Sequence, residues 1–297
     1  MHTGAHPGST VNEDEIAHFS KLSSLWWNEQ GEFGQLHKMN PVRMRFIREK
    51  LLETAYEDDI EDRIEIDGVL KGKAVLDVGC GGGVLSESLA RLGGNVVGVD
   101  ASSSNINIAS THASLDPSLQ PSTSHITSRA GSLEYKHTSA EELLEERGPN
   151  SFDVVCSMEV LEHVDNPRGF LDSCAQLVKP GGHLFLSTIA RTPLSYLLTI
   201  LMAEDVLRFV APGTHTYSKY VNPAELEEYF RAYRSPTAPT GPPWINGHGP
   251  MPRTQAETRG MIYLPWKGEW VLADRGSKWA EGCNYLFWVR KPRNDAL

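Results

Sequence analysis

The chain has 297 residues, of which 40% are apolar, enough to bury the core of one large domain or two small ones. Its formal net charge of −10 argues against a protein that holds nucleic acid by the phosphates, because such proteins present a basic surface. The sequence contains no charge-free apolar run of about 18 residues that would predict a spanning helix, and no C-x-x-C pair that would indicate cysteine-bound zinc.

The first part of the chain is predicted to be a short tail followed by helices. Residues 1–11 are small and polar, which is typical of a disordered tail. From residue 12 onward, apolar side chains recur at helical spacing behind acidic residues that suit a helix N-terminus. A second helix is predicted from about residue 41 to 56. We therefore expect residues 12–70 to form a helical lid on a main domain that spans residues 71–297.

The segment from Lys73 to Asp100 has the pattern strand, glycine loop, helix, strand. A β-branched run is followed by four closely spaced glycines, an amphipathic helix pattern and a second apolar run. A nucleotide-like ligand can lie across such a loop, because glycine lacks the Cβ that would hold the ligand off the backbone. Asp100 ends the second strand, where its carboxylate can accept hydrogen bonds from both ribose hydroxyls.

Strands and helices continue to alternate as far as residue 189. Further strands are predicted over residues 133–137, 152–157 and 183–189, and a Ser/Pro-rich insertion is predicted at about 115–131. This alternation predicts an α/β fold with a doubly wound, mostly parallel sheet that binds its ligand at the carboxyl edge.

The last third of the chain is less regular. Residues 193–210 are strongly apolar, and a second insertion is expected over about 236–282, beginning with a Pro/Gly-rich loop. The closing strands are predicted near residues 261–263 and 285–290, with residues 266–272 as a further candidate.

The glycine spacing distinguishes between two kinds of nucleotide. A dinucleotide fingerprint needs a glycine or alanine at the position that Val84 occupies, so NAD fits poorly. The spacing D-x-G-x-G-x-G, from Asp77 to Gly83, instead resembles the first motif of the class I S-adenosylmethionine (AdoMet) methyltransferases. That resemblance implies Asp77 near the methionine ammonium, Asp100 on the ribose, and Ser139 and Ala140 at the adenine. The alternative is a glycine-rich turn in another kind of α/β protein.

Several motifs together resemble the O-methyltransferases of ubiquinone biosynthesis, which methylate a hydroxyl of polyprenylated catechol-type intermediates. VLDVGCGGG and KPGG occur in many methyltransferases, whereas WW-x-x-x-GEF-x-x-LH-x-x-NP-x-R and GTH-x-x-x-K-Y are much narrower. The resemblance implies a Rossmann-like class I methyltransferase fold with a seven-stranded sheet and an N-terminal helical lid. It also places Arg43, Gly79, Asp100 and Met158 at positions that contact AdoMet, with Gly81 in the same loop. Arg45 and Arg48 share a predicted helix with Arg43, and each of these arginines could instead be solvated.

The reaction requires an acceptor phenol to lose its proton. Glu159, Glu162 and His163 are spaced so that a helix would place them on one face, where they could chelate a divalent ion. The resemblance implies such a metal, with Mg²⁺ or Zn²⁺ as the candidates. The alternative is a metal-free site in which His163 or His215 is the general base. His215 could also be an ordinary loop histidine.

The apolar residues 193–210 have two interpretations. They could form a helix that faces the core, or a helix at the membrane interface that receives a polyprenylated phenolic substrate. The long insertions favour a eukaryotic protein on the matrix face of the mitochondrial inner membrane, although the sequence shows no presequence; a bacterial member would be cytoplasmic. Other coenzyme Q biosynthesis proteins are possible partners, and nucleic acid is not expected.

Two other functions remain open from the sequence. One is an AdoMet-dependent methyltransferase of another small phenol. The other is an AdoMet-binding scaffold subunit that organises a biosynthetic complex and has little activity of its own.

Overall fold

The computed structural model describes residues 10–58, 68–119, 131–206, 216–247 and 249–293, with only the backbone given for 202–206. Eight strands form one sheet: β1 (Ala74–Val78), β2 (Asn95–Asp100), β3 (Leu133–His137), β4 (Phe152–Met158), β5 (Val178–Ile189), β6 (Ala256–Leu264), β7 (Glu269–Leu272) and β8 (Asn284–Arg290).

The helices are α1 (Glu13–Leu22), α2 (Gly34–Glu57), α3 (Val84–Arg91), α4 (Ser103–Ser114), α5 (Ala140–Arg147), α6 (Pro167–Leu177), α7 (Pro193–Ser195) and α8 (Pro223–Ala232). The chain beyond α7 continues as a π-helix over Tyr196–Val206. We call the combined stretch, residues 193–206, the apolar helix. Single 3₁₀ turns cover Ser23–Leu25, Pro117–Leu119, Leu161–His163, Tyr217–Lys219 and Lys278–Gly282.

The strand order is β3-β2-β1-β4-β5-β8-β6-β7. The first five strands in this order are parallel, and β8, β6 and β7 add to them as antiparallel neighbours. The predicted doubly wound, mostly parallel sheet is confirmed. Its predicted count of seven strands is one too low, because β7 forms an additional edge strand that pairs with β6.

Side chains on the two faces of the sheet form two apolar clusters. Alternate residues of one strand point to opposite faces, so Val75 packs with α2 and α3 while Leu76 packs with α5, α6 and α8. Both faces of the central strands are therefore buried, which agrees with their continuous apolar runs. This buried sheet fixes the position of the loops at its carboxyl edge.

Strand β6 corrects the predicted second insertion. It lies inside the sheet, between β8 and β7, rather than in an added loop. The sequence predicted only its residues 261–263 as a strand, because Glu257 and Arg259 in its first half are charged yet buried. Lys50 of α2, itself fully buried, donates a hydrogen bond of 2.9 Å to the Glu257 carboxylate, so the charge of Glu257 is paired.

The N-terminal boundary also differs from the prediction. Residues 1–9 lie outside the described residues, but Thr10 is buried, and its hydroxyl donates a 2.6 Å hydrogen bond to Glu141. The ordered chain thus includes residues 10 and 11, which were assigned to the tail. Most of the predicted 115–131 insertion, residues 120–130, also lies outside the described part of the chain.

Candidate functional site

A single cavity of about 790 Å³ opens at the carboxyl edge of the parallel strands. Its walls combine the glycine loop and the ends of β2, β3 and β4 with the inner face of α1. At its other end the cavity reaches the β6–β7 hairpin and the apolar helix, through Tyr263, Leu194 and Leu198. The same space therefore joins the predicted nucleotide site to an apolar region.

The glycine loop has a backbone that other residues would not adopt easily. Gly79 and Gly81 have φ values of 71° and 53°, in the left-handed region. A Cβ on Gly79 would lie 2.4 Å from Val160 Cγ2, and a Cβ on Gly81 would lie 2.3 Å from the Trp26 ring. Both glycines line the cavity, as predicted for residues that contact the cofactor. Trp26 follows the lid helix α1, so the lid packs directly on the loop.

Asp100 lies at the end of β2 and is held by three hydrogen bonds. Its Oδ2 accepts from the Gly81 amide at 2.9 Å, and its Oδ1 accepts from the Ser102 amide at 2.8 Å and from Asn105 Nδ2 at 3.2 Å. Burial raises the pKa of Asp100, although these hydrogen bonds partly oppose the shift. Asp100 lines the cavity, and Oδ2, which accepts one hydrogen bond from the described residues, has a second lone pair for a ribose hydroxyl.

Asp77 is placed differently from its predicted position. Its side chain is buried and is not among the described residues that line the cavity. Asp77 Oδ2 accepts a 2.5 Å hydrogen bond from the Ser86 hydroxyl, at the start of α3. Burial raises its pKa to about 6, and the nearby positive charge of Arg43 partly opposes that shift. The Asp77 carboxyl group is therefore held by α3 and does not line the cavity among the described residues.

Three more of the predicted cofactor residues line the cavity. Ser139 is the N-cap of α5, where its hydroxyl accepts from the Glu142 amide, and Ala140 is the first residue of that helix. Met158 ends β4 and lines the same wall. The carboxyl ends of β2, β3 and β4 thus bring together residues that are far apart in the sequence, as the parallel sheet predicted.

Arg43 points inward from α2 and is only 4% exposed. Its Nη2 lies 3.4 Å from Glu159 Oε1, in a buried ion pair. Among the described residues, Arg43 Nε has no hydrogen-bond partner although it is buried. Arg45 instead projects outward and pairs with Glu49 on the surface. Arg43 is not among the described residues that line the cavity, but of these two arginines it is the buried one, and it contacts Glu159, which does line the cavity.

Glu159, Glu162 and His163 line the cavity but do not share one helical face. Glu159 has a φ of 57° and lies outside the short 3₁₀ turn that contains the other two, so the helical prediction was wrong here. Within the described part of the chain, no group of three His, Cys, Asp or Glu side chains is already arranged to hold a metal ion.

Two buried hydroxyl groups of β5 hold these carboxylates. Ser187 donates a 2.6 Å hydrogen bond to Glu159 Oε1, and Thr188 donates a 2.8 Å hydrogen bond to Glu162 Oε2. The other oxygen of Glu162, Oε1, is buried and has no partner among the residues that the structure describes. Burial and the neighbouring charge of Glu159 raise the pKa of Glu162. An unpaired buried oxygen beside a second carboxylate is the donor chemistry that a divalent cation favours.

His163 is held by the lid. Its Nδ1 lies 3.1 Å from Glu15 Oε2 of α1, and its ring packs edge-on against Phe19. Burial alone would lower the pKa of His163, but the hydrogen bond to Glu15 and the charge of Glu162 raise it instead. The other candidate base, His215, lies outside the described residues.

Sequence reasoning missed several residues of this site. Glu15 and Trp26 meet their partners through contacts between elements that are distant in sequence. Ser187 and Thr188 stand at the carboxyl end of β5, and that position in a parallel sheet is the signal that could have identified them. Residues 261–263 were predicted as a strand, but their place in the cavity wall follows from the β6–β7 hairpin, which the sequence did not predict.

Comparison with known proteins identifies the family. A family model described as a methyltransferase domain matches residues 45–234. The mitochondrial ubiquinone biosynthesis O-methyltransferase of Schizosaccharomyces pombe is 41% identical over 95% of this chain and 88% of its own length. The chain belongs to the ubiquinone biosynthesis O-methyltransferase family. The Rattus norvegicus mitochondrial member is 40% identical over 90% of this chain and 68% of its own length. The Rhizobium johnstonii member is 43% identical over 74% of this chain and 81% of its own length.

Membership in the ubiquinone biosynthesis O-methyltransferase family confirms the predicted AdoMet-dependent methyltransferase. A solved structure supports the fold alone. The magnesium protoporphyrin IX methyltransferase of Synechocystis, with bound SAH, superposes with a TM-score of 0.51 at 15% identity and covers 93% of this chain and 94% of that one. The yeast and rat relatives are named mitochondrial, whereas the Rhizobium one is not.

Proposed function

We propose that this enzyme transfers a methyl group from AdoMet to a phenolic hydroxyl of a polyprenylated catechol or hydroquinone in ubiquinone biosynthesis. The observation that carries the proposal is the single cavity that joins the glycine loop to an apolar wall. Between these two ends lie Glu159, Glu162 and His163, the polar groups that a phenol needs. The names of the relatives supply the substrate class.

The cofactor would lie across the glycine loop. Asp100 is placed to bind the ribose, and Ser139 and Ala140 lie at the end of the next strand, where the adenine is expected. The guanidinium of Arg43 is a buried cation beside Glu159, suited to the carboxylate of the methionine end. This arrangement would direct the methyl group toward Glu159, Glu162 and His163.

Methyl transfer from a sulfonium needs alignment and a deprotonated acceptor. A free phenol has a pKa of about 10, so at neutral pH a base or a cation must assist the loss of its proton. His163 lines the cavity beside Glu162, which supports its role as this base. Its raised pKa makes it a stronger proton acceptor once it is neutral. Orientation of the acceptor oxygen in a closed cavity contributes further to the rate.

A divalent cation fits the donor chemistry of the same residues. Glu159, Glu162 and His163 would hold Mg²⁺ or Zn²⁺ after the two carboxylates turn away from Ser187 and Thr188. When bound, the ion would lower the pKa of a coordinated phenol. Glu159, Glu162 and His163 would then fix the position of the phenol ring. Binding of Mn²⁺, measured by electron paramagnetic resonance in Glu162→Gln and in the unmodified protein, tests this site without relying on activity.

The apolar end of the cavity suits a prenyl tail. Leu197, Leu198 and Leu201 of the apolar helix are exposed by 45%, 45% and 41%, which argues against the interpretation of a helix that faces the core. Leu207 and Phe209 of the same predicted stretch lie outside the described residues. Leu198 also lines the cavity, so one surface connects the acceptor site with the exterior. Among the residues described, no helix has the length and apolar character needed to cross a membrane.

We further propose that the apolar helix rests on a bilayer and receives the tail there. For a eukaryotic protein this surface would be the matrix face of the mitochondrial inner membrane, in line with the names of the eukaryotic relatives. Other coenzyme Q biosynthesis proteins would be partners at the same surface. A bacterial protein would act from the cytoplasmic side.

The function is tested by AdoMet-dependent methylation of a short-chain prenylated catechol and of the same catechol without the prenyl group. We expect turnover of both, with a higher kcat/KM for the prenylated compound because its chain occupies the apolar wall. Chelator treatment followed by Mg²⁺ or Zn²⁺ then shows whether turnover needs the ion. Binding of AdoMet without turnover of either catechol would contradict the proposal and favour a scaffold subunit.

A further inference from the structure

The lid helix contributes one charged side chain to the reaction site. Glu15, in the first turn of α1, lies with its Oε2 3.1 Å from Nδ1 of His163. Its other oxygen, Oε1, lies 3.7 Å from the Lys219 ammonium. Lys219 belongs to the narrow GTH-x-x-x-K-Y motif, and the proposed reaction assigns that lysine no role.

The position of Glu15 is fixed from several sides. Asn12 caps α1 by accepting a 2.9 Å hydrogen bond from the Glu15 amide, and its Nδ2 donates a 2.6 Å hydrogen bond to Asp165. Lys219 also lies 3.6 Å from Asp165, so Lys219 links Glu15 to the loop after His163. The carboxylate is thus held at one place by the helix cap and by a cation.

The same helix is attached to the cofactor side. Ser20 shares a 2.6 Å hydrogen bond with Ser102, and Trp26, just beyond α1, donates a 3.0 Å hydrogen bond to Asn105. Ser102 and Asn105 are both hydrogen-bond donors to Asp100, the proposed ribose ligand. The lid therefore contacts His163 near its beginning and the partners of Asp100 near its end.

We propose that Glu15 is a positioning residue for His163, which it holds in the tautomer with the proton on Nδ1 whenever the lid lies over the site. The inference rests on the proposed role of His163. A neutral His163 that donates Nδ1–H to Glu15 carries its lone pair on Nε2, the nitrogen that would accept a proton or bind a cation. Lys219 keeps Glu15 in place. The same lid that carries the Glu15 carboxylate to His163 also contacts Ser102 and Asn105, the partners of Asp100.

The test compares Glu15→Gln with Asp14→Asn. Both variants remove one negative charge from the first turn of α1, but Asp14 is exposed. We expect Glu15→Gln to lower kcat by about ten- to hundredfold, as for other residues that orient a site histidine. Its affinity for AdoMet should change by less than about twofold, since its carboxylate does not contact the proposed cofactor residues.

A second readout follows the tautomer itself. In protein with ¹⁵N-labelled histidine, the signal lost in His163→Gln identifies His163, and its ¹⁵N shifts report which nitrogen carries the proton. Those shifts should change in Glu15→Gln and stay unchanged in Asp14→Asn. If Glu15→Gln does not fold, Glu15→Asp, which withdraws the carboxylate by one methylene, gives the same readout. Unchanged shifts, or an unchanged kcat, would overturn the inference. Failure of the unmodified protein to methylate any catechol would instead contradict the proposed function.

Discussion

Arg43 of α2 and Glu159, just after β4, form a buried ion pair with 3.4 Å between Nη2 and Oε1. This pair joins the proposed cofactor site to the proposed acceptor site. The Nε of the same guanidinium is buried and has no hydrogen-bond partner among the described residues. Arg43 can therefore pair with Glu159 through Nη2 and donate a hydrogen bond to a second carboxylate through Nε. A lysine has no planar pair of donors with which to do both.

Substitution of Arg43 tests this arrangement. We expect Arg43→Lys to weaken AdoMet binding by about ten- to hundredfold, because a charge-assisted hydrogen bond contributes about 1.5–3 kcal/mol. Arg45→Lys, on the exposed side of the same helix, is the matched control and should leave the affinity unchanged. Isothermal titration calorimetry measures both. Equal affinities in the two variants would remove Arg43 from the cofactor site.

Asp77 makes stability depend on pH. Its pKa is raised from 3.8 to about 6, so the folded protein binds a proton that the unfolded chain releases, and stability falls as pH rises from about 4 through about 6. Asp77→Asn removes this loss and should stabilise the ligand-free protein at pH 7 by at most about 3 kcal/mol. Denaturant unfolding at pH 5 and pH 7.5 measures the difference.

The opposite sign is expected at Asp116, where hydrogen bonds from Arg91 lower the pKa to about 2. Any stabilisation from Asp116 is present above the unfolded pKa and is lost as pH falls toward 2, so Asp116→Asn should not stabilise the protein at neutral pH.

For Asp77, the contradicting outcome is an Asp77→Asn variant that loses stability equally at pH 5 and pH 7.5. That result would show that the pH dependence of stability does not come from the raised pKa of Asp77.

Gly81 should tolerate no side chain. Its φ of 53° alone would cost alanine about 1–2 kcal/mol, and the added Cβ would lie 2.3 Å from the Trp26 ring. Gly81→Ala should therefore displace Trp26 and weaken AdoMet binding, in addition to destabilising the fold. Gly72→Ala isolates the backbone cost, because Gly72 has a φ of 75° and open space around it. Thermal unfolding and AdoMet titration compare the two, and an identical affinity for AdoMet in both would contradict the contact with the lid.

The apolar helix should control binding to vesicles. Leu197 and Leu201 are exposed and do not line the cavity among the described residues, so Leu197→Ser with Leu201→Ser changes the outer surface. Each leucine that enters a bilayer contributes about 1 kcal/mol or more, and the double variant should bind anionic vesicles at least about tenfold more weakly. Leu115→Ser, at another exposed leucine, is the control in a vesicle sedimentation assay. Unchanged sedimentation of the double variant would exclude this helix from the membrane contact.

The features that the sequence predicted correctly are those with local patterns. The glycine loop, the position of Asp100 at a strand end and the order of strands and helices follow from spacing and burial over short windows. Parallel pairing then places Ser139 and Met158 beside the loop without further information. The family resemblance, and not helical spacing, separated Arg43 from Arg45; the structure buries Arg43 and exposes Arg45, and the contact of Arg43 with AdoMet stays a prediction.

The features that the sequence concealed depend on long-range contacts. Only residues 261–263 of β6 were predicted as a strand, because the charged Glu257 and Arg259 are typical of a surface. In the fold both are buried: Glu257 accepts a hydrogen bond from Lys50, and Arg259 donates to the Ala273 carbonyl. The predicted helical face of Glu159 and His163 failed because Glu159 itself has a positive φ and lies outside the 3₁₀ turn that contains His163. Glu15 could not be assigned to the site, since its partner is 148 residues away in the sequence.

The most direct test of the account is a crystal structure with S-adenosylhomocysteine and a short-chain prenylated catechol bound together. We expect the ribose on Asp100, the amino acid carboxylate on Arg43, the phenolic oxygen beside His163 and Glu162, and the prenyl chain along Leu198 toward the exterior. A catechol bound outside this cavity, or a prenyl chain directed away from the apolar helix, would contradict the claim that one cavity serves both cofactor and prenylated phenol.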